Sequence, residues 1–325
     1  MIQIQGNGII VNRFVCPKYM EKESPNFTKE NSMSNRKNII VVLNYNDYKE
    51  TTRFCSVIGK YDIIDLIIVV DNKSTDDSYN HLLKLGSSKI VILSSDSNRG
   101  YSAGNNIGLK YILDNKIKGN VIISNPDIDV SQEVFYQIFE KLQDESIGIA
   151  TGLVCANGVI SDNYGWKIPS FWTLIADRFV ILGKIRRALG ISMYMSKPIA
   201  SEIYCDCVSG CFFGFSTITL NKIGLFDERT FLFGEETILG WKIKQNKLKT
   251  VVLKNAIVHH NEHHSLKLNS IKMKRNMRWE LDSHMVYVKY YLKKGRLSQC
   301  VFKFFFDISC IERMLLDYLK TKFKF

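Results

Sequence analysis

Runs of β-branched and aliphatic residues alternate with helix-like segments through the first 130 residues of the chain. Four runs have this character: NIIVVLNYN (38 to 46), IDLIIVVDN (64 to 72), KIVILSS (89 to 95) and NVIISNPDIDV (120 to 130). Continuous apolar runs are typical of parallel strands that are buried on both faces of a sheet. Their alternation with helices predicts an α/β fold with a doubly wound, mainly parallel sheet and flanking helices.

Further helices and strands are predicted along the rest of the chain. Helices are expected at 48 to 60, at STDDSYNHLLKLG with Ser74 as the cap, after the loop that contains Gly100, near 217 to 223, and from Ile238 onward. The segment TGLVCANGVISDNYGW (151 to 166) is rich in turn formers, and 165 to 200 is an aromatic and basic insert. Strands are expected within 201 to 216 and over 249 to 260, followed by helices over 270 to 294 and 297 to 320.

Polar side chains lie at the carboxyl ends of the predicted strands, where doubly wound sheets bind their ligands. These side chains belong to Asn44, Asn46, Asp71, Asn72, Asn125, Asp127 and Asp129. Asp71 is placed to accept hydrogen bonds from a base or a ribose, although a helix cap is the simpler interpretation. The loop NRGYSAGNNIGL (98 to 109) has glycines that permit close approach of a nucleotide, but it matches neither GxGxxG nor the P-loop pattern.

Asp127 and Asp129 stand two residues apart in NPDIDV. Two such carboxylates can hold Mg²⁺ or Mn²⁺ together with a substrate diphosphate, because these cations prefer oxygen ligands. The alternative is that both residues simply end a strand and begin a turn. Zinc is a weaker hypothesis for CDCVSGC (205 to 211) and for HHNEHHS (259 to 265), whose strand-like contexts favour buried thiols and a histidine-containing loop.

Composition and charge narrow the class of protein. The hydrophobic content of 46% and the aromatic content of 12% indicate an ordered globular protein, and the net charge of +12 favours a polyanionic partner. Residues 266 to 325 hold 14 Lys and Arg against 5 Asp and Glu. The N-terminus has no signal-peptide pattern and no apolar run is long enough to span a bilayer, so we expect a cytoplasmic location and reduced cysteines.

Two adjacent glutamates, Glu235 and Glu236, follow Gly234 in the stretch FLFGEETILGWKIK (231 to 244). Acidic residues in the first turn of a helix are favourable because they complement the helix dipole. In an apolar loop, one of the two carboxylates can instead act as a general base that takes a proton from a hydroxyl group.

Seven segments occur in the order and spacing of family 2 glycosyltransferases. They are VVLNYN, VVDNKSTDDS, NRGYSAGNNIGL, NPDIDV, VSGCFFGFS, IGLFDERTFLFGEETIL and IVHHNEHHS. The chain resembles this family over about residues 38 to 265, and it is most similar to bacterial rhamnosyltransferase-like members. The resemblance implies the GT-A fold, a nucleotide-diphosphate sugar donor (dTDP-rhamnose or a UDP-sugar), a divalent metal, and inverting transfer to a glycan acceptor.

The resemblance also implies roles for single residues. Asp71 would bind the nucleotide base, and the other donor-site residues would be Asn44, Asn46, Asn98, Gly100, Asn105 and Asn125. Asp127 is the best metal ligand, with Asp129 and His260 near the diphosphate, while Asp227 and Glu228 would lie near the acceptor. Glu236 would be the catalytic base, with Glu235 as the alternative. The family often has Glu-Asp-x-Asp where this chain has Glu235-Glu236-Thr237-Ile238, so the base is one methylene longer and the second aspartate is missing.

Three regions are expected: a partly mobile extension over 1 to 36, a GT-A domain over 37 to 265, and a basic helical tail over 266 to 325. The domain would divide into a nucleotide-binding half (37 to 130) and an acceptor-binding half (131 to 265). In the tail, apolar residues recur at helical spacing at Leu297, Val301, Phe304, Ile308, Ile311, Leu315 and Leu319. This amphipathic helix either packs on the domain or lies on an anionic bilayer, at the inner face of the cell membrane.

Two other functions fit the fold class or the charge. A sugar nucleotidyltransferase needs a glycine-rich loop with Arg and Lys right after the first strand, where this chain has NYNDYKETT. A non-enzymatic protein that binds nucleic acid or membrane leaves the strand-end carboxylates unexplained, and no nucleic-acid motif is present. The sequence therefore favours a membrane-associated glycosyltransferase that extends a cell-surface polysaccharide (O-antigen or capsule) on a lipid carrier.

Overall fold

The computed structural model describes residues 36–156, 158–161, 164–195, 200–261 and 270–323. Most of the predicted N-terminal extension and the histidines His263 and His264 lie outside the described residues. The strands are β1 (Lys37–Asn44), β2 (Leu66–Asp71), β3 (Ile90–Ser94), β4 (Gly119–Ser124), β5 (Ile128–Asp129), β6 (Ile147–Ala156), β7 (Val159–Ile160), β8 (Gly165–Trp166), β9 (Glu202–Cys205), β10 (Cys207–Val208), β11 (Phe212–Ser216) and β12 (Lys249–His260).

The helices are α1 (Tyr48–Ile58), α2 (Ser78–Leu83), α3 (Tyr101–Asp114), α4 (Gln132–Lys141), α5 (Phe171–Ala176), α6 (Val180–Ala188), α7 (Thr217–Ile223), α8 (Glu235–Gln245), α9 (Ser270–Val286) and α10 (Arg296–Phe323). A π-helical turn, Tyr287–Tyr291, follows α9 directly. No helix among the described residues is long and apolar enough to cross a membrane.

One large mixed sheet organises the domain. Its strand order is β3-β2-β1-β4-β11-β6-β12-β5, with β7 beside β6 and β9 beside β12. β1, β2, β3 and β4 pair in parallel, as do β6 and β12, whereas β11 runs antiparallel between β4 and β6. The predicted mostly parallel α/β sheet is confirmed. Because β1 and β2 are parallel and in register, Asn44 pairs with Asp71 and their polar side chains meet at one edge of the sheet.

Apolar layers cover both faces of the sheet, as a doubly wound fold requires. Phe54 of α1 and Phe135 of α4 belong to one layer, and both side chains are almost fully buried. Leu109 of α3 and Leu239 of α8 belong to the layer on the other face. The chain thus encloses β1 and β2 from both sides, which explains their continuous apolar sequences.

A third apolar cluster fastens the C-terminal helices to the domain. Phe302 and Phe306 of α10 are buried there with Tyr287 of the π-helical turn and Phe171 of α5. The face of α10 that packs on the domain is therefore not the apolar stripe predicted from the sequence. Most residues of that stripe, of which Phe304 and Leu315 are examples, are exposed, whereas Val301 is half-buried against the cluster.

Several element boundaries differ from the prediction. Ser74 does not cap a helix, because α2 begins only at Ser78, and the Ser74 hydroxyl donates to Asp71 instead. The segment predicted as one strand over 120 to 130 divides into β4 and β5, and β5 pairs with the distant β12. The turn-rich start of the segment 151 to 166 is the second half of β6, which pairs along β12 inside the sheet.

Candidate active site

The carboxyl ends of β1 and β2 carry a connected set of polar groups. The buried carboxylate of Asp71 accepts hydrogen bonds from the Asn44 amide (2.8 Å) and from the hydroxyl (2.5 Å) and backbone N–H (3.0 Å) of Ser74. Asn46 adopts a left-handed conformation with φ of 55°, and its amide pairs with Thr75. The structure therefore brings together three predicted donor-site residues, and it adds Ser74, which the sequence indicated only as a helix cap.

The loop before α3 reaches the same edge of the sheet. Asn72, which follows β2, donates to Asn98 (3.1 Å) and to the Gly100 carbonyl (3.2 Å). Asn105 lies one turn into α3 and is fully buried, and its side-chain carbonyl oxygen has no hydrogen-bond partner among the described residues. Since buried polar atoms are normally paired, this oxygen is an unsatisfied acceptor beneath the edge of the sheet.

Asp127 and His260 come together where β5 meets the end of β12. Asp127 Oδ1 lies 3.2 Å from His260 Nε2. This contact lacks hydrogen-bond geometry, so the buried Oδ1 atom has no hydrogen-bond partner among the described residues. Asn125 stands just before, and its backbone N–H donates to the Cys211 carbonyl (2.8 Å).

The carboxylate of Asp129 is held by other protein groups. Arg53 of α1 forms a salt bridge with one oxygen and Asn261 donates a hydrogen bond to the other. Arg53 also pairs with Glu50 at 2.7 Å. Within the described parts of the chain, no group of three or more His, Cys, Asp and Glu side chains comes together as a metal site. A cation here would therefore depend on substrate oxygens and water for most of its ligands.

The two adjacent glutamates form the first turn of α8, which begins three residues earlier than the periodicity predicts. Gly234 is the N-cap residue and has a left-handed conformation, with φ of 76°. Phe233 before it also has a positive φ, 69°, which is a rare conformation for a bulky residue. This turn of the backbone points both glutamates toward the interior instead of leaving them at an exposed helix end.

The carboxylates of Glu235 and Glu236 lie in a largely apolar pocket. The residues around it are Tyr101, Gly210, Phe213, Phe226, Glu235, Glu236 and Leu239. Tyr101 closes one side, and its hydroxyl donates to the Gly210 carbonyl (2.6 Å). The sequence did not single out Tyr101 or Gly210, although both lie within segments that resemble the family.

The pocket raises the pKa of both glutamates, but unequally. Burial raises the pKa of Glu235 well above its ordinary value of 4.5, and the charge of Glu236 raises it further. Burial also raises the pKa of Glu236, and hydrogen bonds from the backbone, including that of Gly210, oppose the rise. The Oε2 atom of Glu235 is buried without a hydrogen-bond partner among the described residues. The two carboxylates titrate as a coupled pair, and the backbone hydrogen bonds to Glu236 favour its ionised form.

Cys211 lies between the glutamate pocket and the Asp127–His260 pair. Burial raises the pKa of its thiol to about 12, and the charges of Asp127 and Glu236 both contribute to that rise. The thiol therefore stays protonated. Gly210, just before Cys211, lines the glutamate pocket, and the Cys211 carbonyl accepts from the backbone of Asn125, two residues before Asp127. The two carboxylates therefore flank the same short stretch of chain.

Asp227 and Glu228, predicted near the acceptor, have partners within the protein. Burial alone raises the pKa of Asp227, but hydrogen bonds from Arg229 and from the Tyr291 hydroxyl (2.6 Å) lower it to about 2. Glu228 accepts a hydrogen bond from Asn106 (3.0 Å) and also pairs with Arg99 and Lys110. Both carboxylates thus tie the loop before α8 to its neighbours.

Helix α9 also holds this loop in place. The Phe231 and Trp279 rings stack with centroids 4.5 Å apart, and the Ser283 hydroxyl donates to the Leu232 carbonyl (3.0 Å). On the other side, the backbone N–H of Tyr101 donates to the Phe231 carbonyl (2.7 Å). The segment that carries the glutamates is thus clamped between α3 and α9, and no local sequence signal predicted the contribution of α9.

Comparison with known proteins shows the family to which this chain belongs. The model of the family "Glycosyl transferase family 2" matches residues 39–203, which is about half of the chain. The low-salt glycan biosynthesis hexosyltransferase Agl10 of Haloferax volcanii is 27% identical over 209 residues, which cover 64% of this chain and 62% of that protein. The chain therefore spans less than two thirds of this relative's length.

Two solved structures share the fold. GalNAc-T7 with UDP, GalNAc and Mn²⁺ superposes with a TM-score of 0.56 at 14% identity, over 78% of this chain and 47% of that one. The mannosyltransferase PcManGT of Pyrobaculum calidifontis, in complex with GDP-Man and Mn²⁺, gives a TM-score of 0.52 at 12% identity, over 81% and 66% of the two chains. These similarities confirm the predicted GT-A fold.

Proposed function

We propose that this chain, which belongs to glycosyl transferase family 2 and is a glycosyltransferase, transfers a sugar from a nucleotide-diphosphate donor to a glycan acceptor with inversion at the anomeric carbon. The observation that carries the proposal is the position of a half-buried glutamate pair near the Asp127–His260 pair, at the carboxyl ends of the sheet strands. Family membership sets aside the nucleotidyltransferase and the non-enzymatic alternatives that the sequence left open.

The nucleotide would bind over the ends of β1 and β2. Asp71 is held by Asn44 and Ser74, so its carboxylate is oriented to accept hydrogen bonds from a base. Asn105, whose side-chain amide donates to the Tyr101 carbonyl (3.0 Å), would hold the start of α3 beside this site. Asn46, Asn98, Gly100 and Asn125 shape the walls of this site.

Asp127 and His260 would hold a divalent cation, Mg²⁺ or Mn²⁺. Asp127 fits this role because its buried Oδ1 atom has no hydrogen-bond partner among the described residues, although it lies next to the Nε2 atom of His260. Magnesium and manganese are commonly held by one or two protein ligands together with substrate phosphates and water. The bound ion would supply positive charge that stabilises the departing diphosphate. Asp129, with Arg53 and Asn261, would fix the position of β5.

Glu236 would be the general base. Its carboxylate takes the proton of the acceptor hydroxyl, and the hydroxyl oxygen forms the new bond to the anomeric carbon as the bond to the diphosphate oxygen breaks. The electron pair of that bond leaves with the nucleoside diphosphate. Glu235, whose Oε2 atom is buried without a hydrogen-bond partner among the described residues, would remain protonated and would keep a second negative charge out of the pocket.

The acceptor and the cellular setting are proposals drawn from the resemblance and from the charge. We propose a glycan acceptor on a lipid carrier in cell-surface polysaccharide synthesis, with dTDP-rhamnose or a UDP-sugar as donor. The enzyme would act at the cytoplasmic face of the membrane, to which its basic C-terminal helices would attach it. The glycan-synthesis relative supports the glycan acceptor, and the Mn²⁺ complexes of the two structural neighbours support the divalent metal.

Donor binding and hydrolysis test the donor side. A panel of nucleotide sugars is titrated by calorimetry and assayed for hydrolysis, with and without Mn²⁺ or Mg²⁺. We expect one donor to bind in a metal-dependent manner, and Asp127→Asn to abolish that dependence. Asp129→Asn is the matched control and should retain it, because the Asp129 carboxylate has its own protein partners. Metal-independent binding of every donor would contradict the assignment.

A transfer assay tests the base. Glu236→Gln should lower the transfer rate by about 100-fold or more while leaving donor affinity unchanged. Glu235→Gln should retain most of the activity, because a neutral amide resembles the protonated acid proposed at this position. The opposite pattern would assign the base to Glu235.

A further inference from the structure

Helix α6 presents apolar side chains to solvent along its whole length. It lies in the aromatic and basic insert predicted from the sequence, and none of its residues is buried. Ile181 is 56% exposed and Ile185 is 50% exposed, and Leu189 follows at the same spacing just after the helix. A soluble surface helix normally turns such a stripe toward a core, but none of the described residues covers this face of α6.

Helix α10 has apolar residues on two faces, and only one face packs on the domain. Phe302 and Phe306 are buried, whereas Phe304 is 62% exposed and Leu315 is 57% exposed. The exposed side chains recur at three- and four-residue spacing, so they form a stripe that continues through Ile311 along most of the helix. The helix therefore keeps a complete apolar face after its own packing is satisfied.

The two exposed faces are neighbours. The carboxylate of Glu312 on α10 accepts hydrogen bonds from the backbone N–H groups of Val180 (2.7 Å) and Ile181 (3.0 Å), which are the first residues of α6. Glu312 follows Ile311 directly and lies three residues before Leu315. We call the exposed apolar side chains of residues 181–189 and 297–319 together the α6–α10 surface.

Basic residues accompany the α6–α10 surface. Helix α6 carries three Lys and Arg residues and no acid, and residues 287–323 carry eight Lys and Arg against three acids. Lys184 of α6 and Lys303 of α10 are exposed beside the apolar stripes. Such side chains can place their methylene groups along an apolar layer and their charges at lipid phosphates.

We infer that the α6–α10 surface docks on an anionic lipid bilayer, with α6 lying in the interface beside α10. This inference extends the membrane attachment contained in the proposed function to a helix outside the C-terminal tail. Helices that bind the surface of anionic bilayers combine an apolar face with flanking cations in this way. A second copy of the chain is a poorer occupant, because it would bring two positively charged surfaces into contact.

Vesicle sedimentation with the full-length chain tests the inference. The probes are extruded vesicles of phosphatidylcholine with and without phosphatidylglycerol. We expect the wild-type chain to bind the anionic vesicles and to dissociate as salt is added. Ile181→Ser with Ile185→Ser should lower the partition coefficient by about tenfold or more, and Ile311→Ser with Leu315→Ser should do the same.

Two comparisons keep the outcomes distinct. The double variant Val57→Ser with Leu83→Ser removes apolar side chains of similar exposure on α1 and α2, and it should bind vesicles like the wild type. Donor hydrolysis is measured for every variant, so loss of the proposed activity is separated from loss of docking. Unchanged binding of the α6 variant would overturn the inference. Failure of the wild-type chain to bind anionic vesicles would also overturn the inference. This holds whether the chain is a monomer or forms a dimer that the surface variants dissociate.

Discussion

Replacing Gly100 by alanine should destabilise the clamp that positions the glutamate pair. Gly100 precedes α3 with φ of 93° and ψ of −172°, a conformation that is nearly exclusive to glycine. A Cβ atom there would lie 2.0 Å from the Phe231 carbonyl oxygen and 2.6 Å from the Phe231 carbonyl carbon. That same oxygen accepts the hydrogen bond from the Tyr101 N–H, so α3 and the loop before α8 must separate to admit the methyl group.

Gly224 provides a matched control for the magnitude. Its φ of 72° and ψ of −176° resemble those of Gly100, but, apart from its chain neighbours, no described residue has an atom within 4 Å of the position of its Cβ. Each alanine variant therefore carries a backbone strain of about 1–3 kcal/mol. Gly100→Ala adds about 1–3 kcal/mol of overpacking and about 1 kcal/mol for the lost hydrogen bond. Its loss of stability should exceed that of Gly224→Ala by about 2–4 kcal/mol.

Urea unfolding followed by circular dichroism measures this difference, provided that the wild type and both variants have similar m-values. The transfer rate should fall for Gly100→Ala, because the segment that holds Glu236 moves with Phe231. It should not fall for Gly224→Ala. Equal losses of stability in the two variants would contradict this prediction, because they would show that the contact with Phe231 relaxes at no cost.

Three further predictions concern the same region. Burial raises the pKa of Glu235 above 4.5, so the folded state binds this proton more tightly than the unfolded state does. Stability should therefore fall as pH rises above 4.5. Glu235→Gln should weaken this dependence of the unfolding free energy on pH, as measured by urea unfolding at a series of pH values. Trp279→Ala removes the stack on Phe231 and should lower the free energy of unfolding, measured in urea, by about 1–3 kcal/mol. It should also lower kcat more than donor affinity. An unchanged kcat would show that α9 does not position the glutamates. The pKa of Asp227 is lowered from 3.8 to about 2, so its contribution to stability is lost as pH falls through that interval. Tyr291→Phe should reduce this contribution. If the variant and the wild type unfold identically in acid, the Tyr291 hydroxyl does not have this role.

Much of the donor side of the site could be predicted from the sequence. Asn44 and Asp71 end apolar runs, and parallel strands of similar length place their ends side by side, so their proximity follows from local pattern and topology. The acidic pair was also visible, because two adjacent carboxylates within an apolar stretch are uncommon. What could not be predicted is which carboxylate is available, since Asp129 is held by Arg53 from α1 and by Asn261 from the end of β12.

Local sequence patterns are enough to predict the succession of strands and helices, the polar strand ends and the amphipathic character of α10, because each depends on residues that are close along the chain. Long-range packing sets which face of α10 is buried, since Phe302 meets Phe171 and Tyr287 only after distant segments pack. It also decided the inward direction of the glutamates, through the backbone turn at Gly234. Such contacts join residues far apart in sequence, and periodicity carries no information about them.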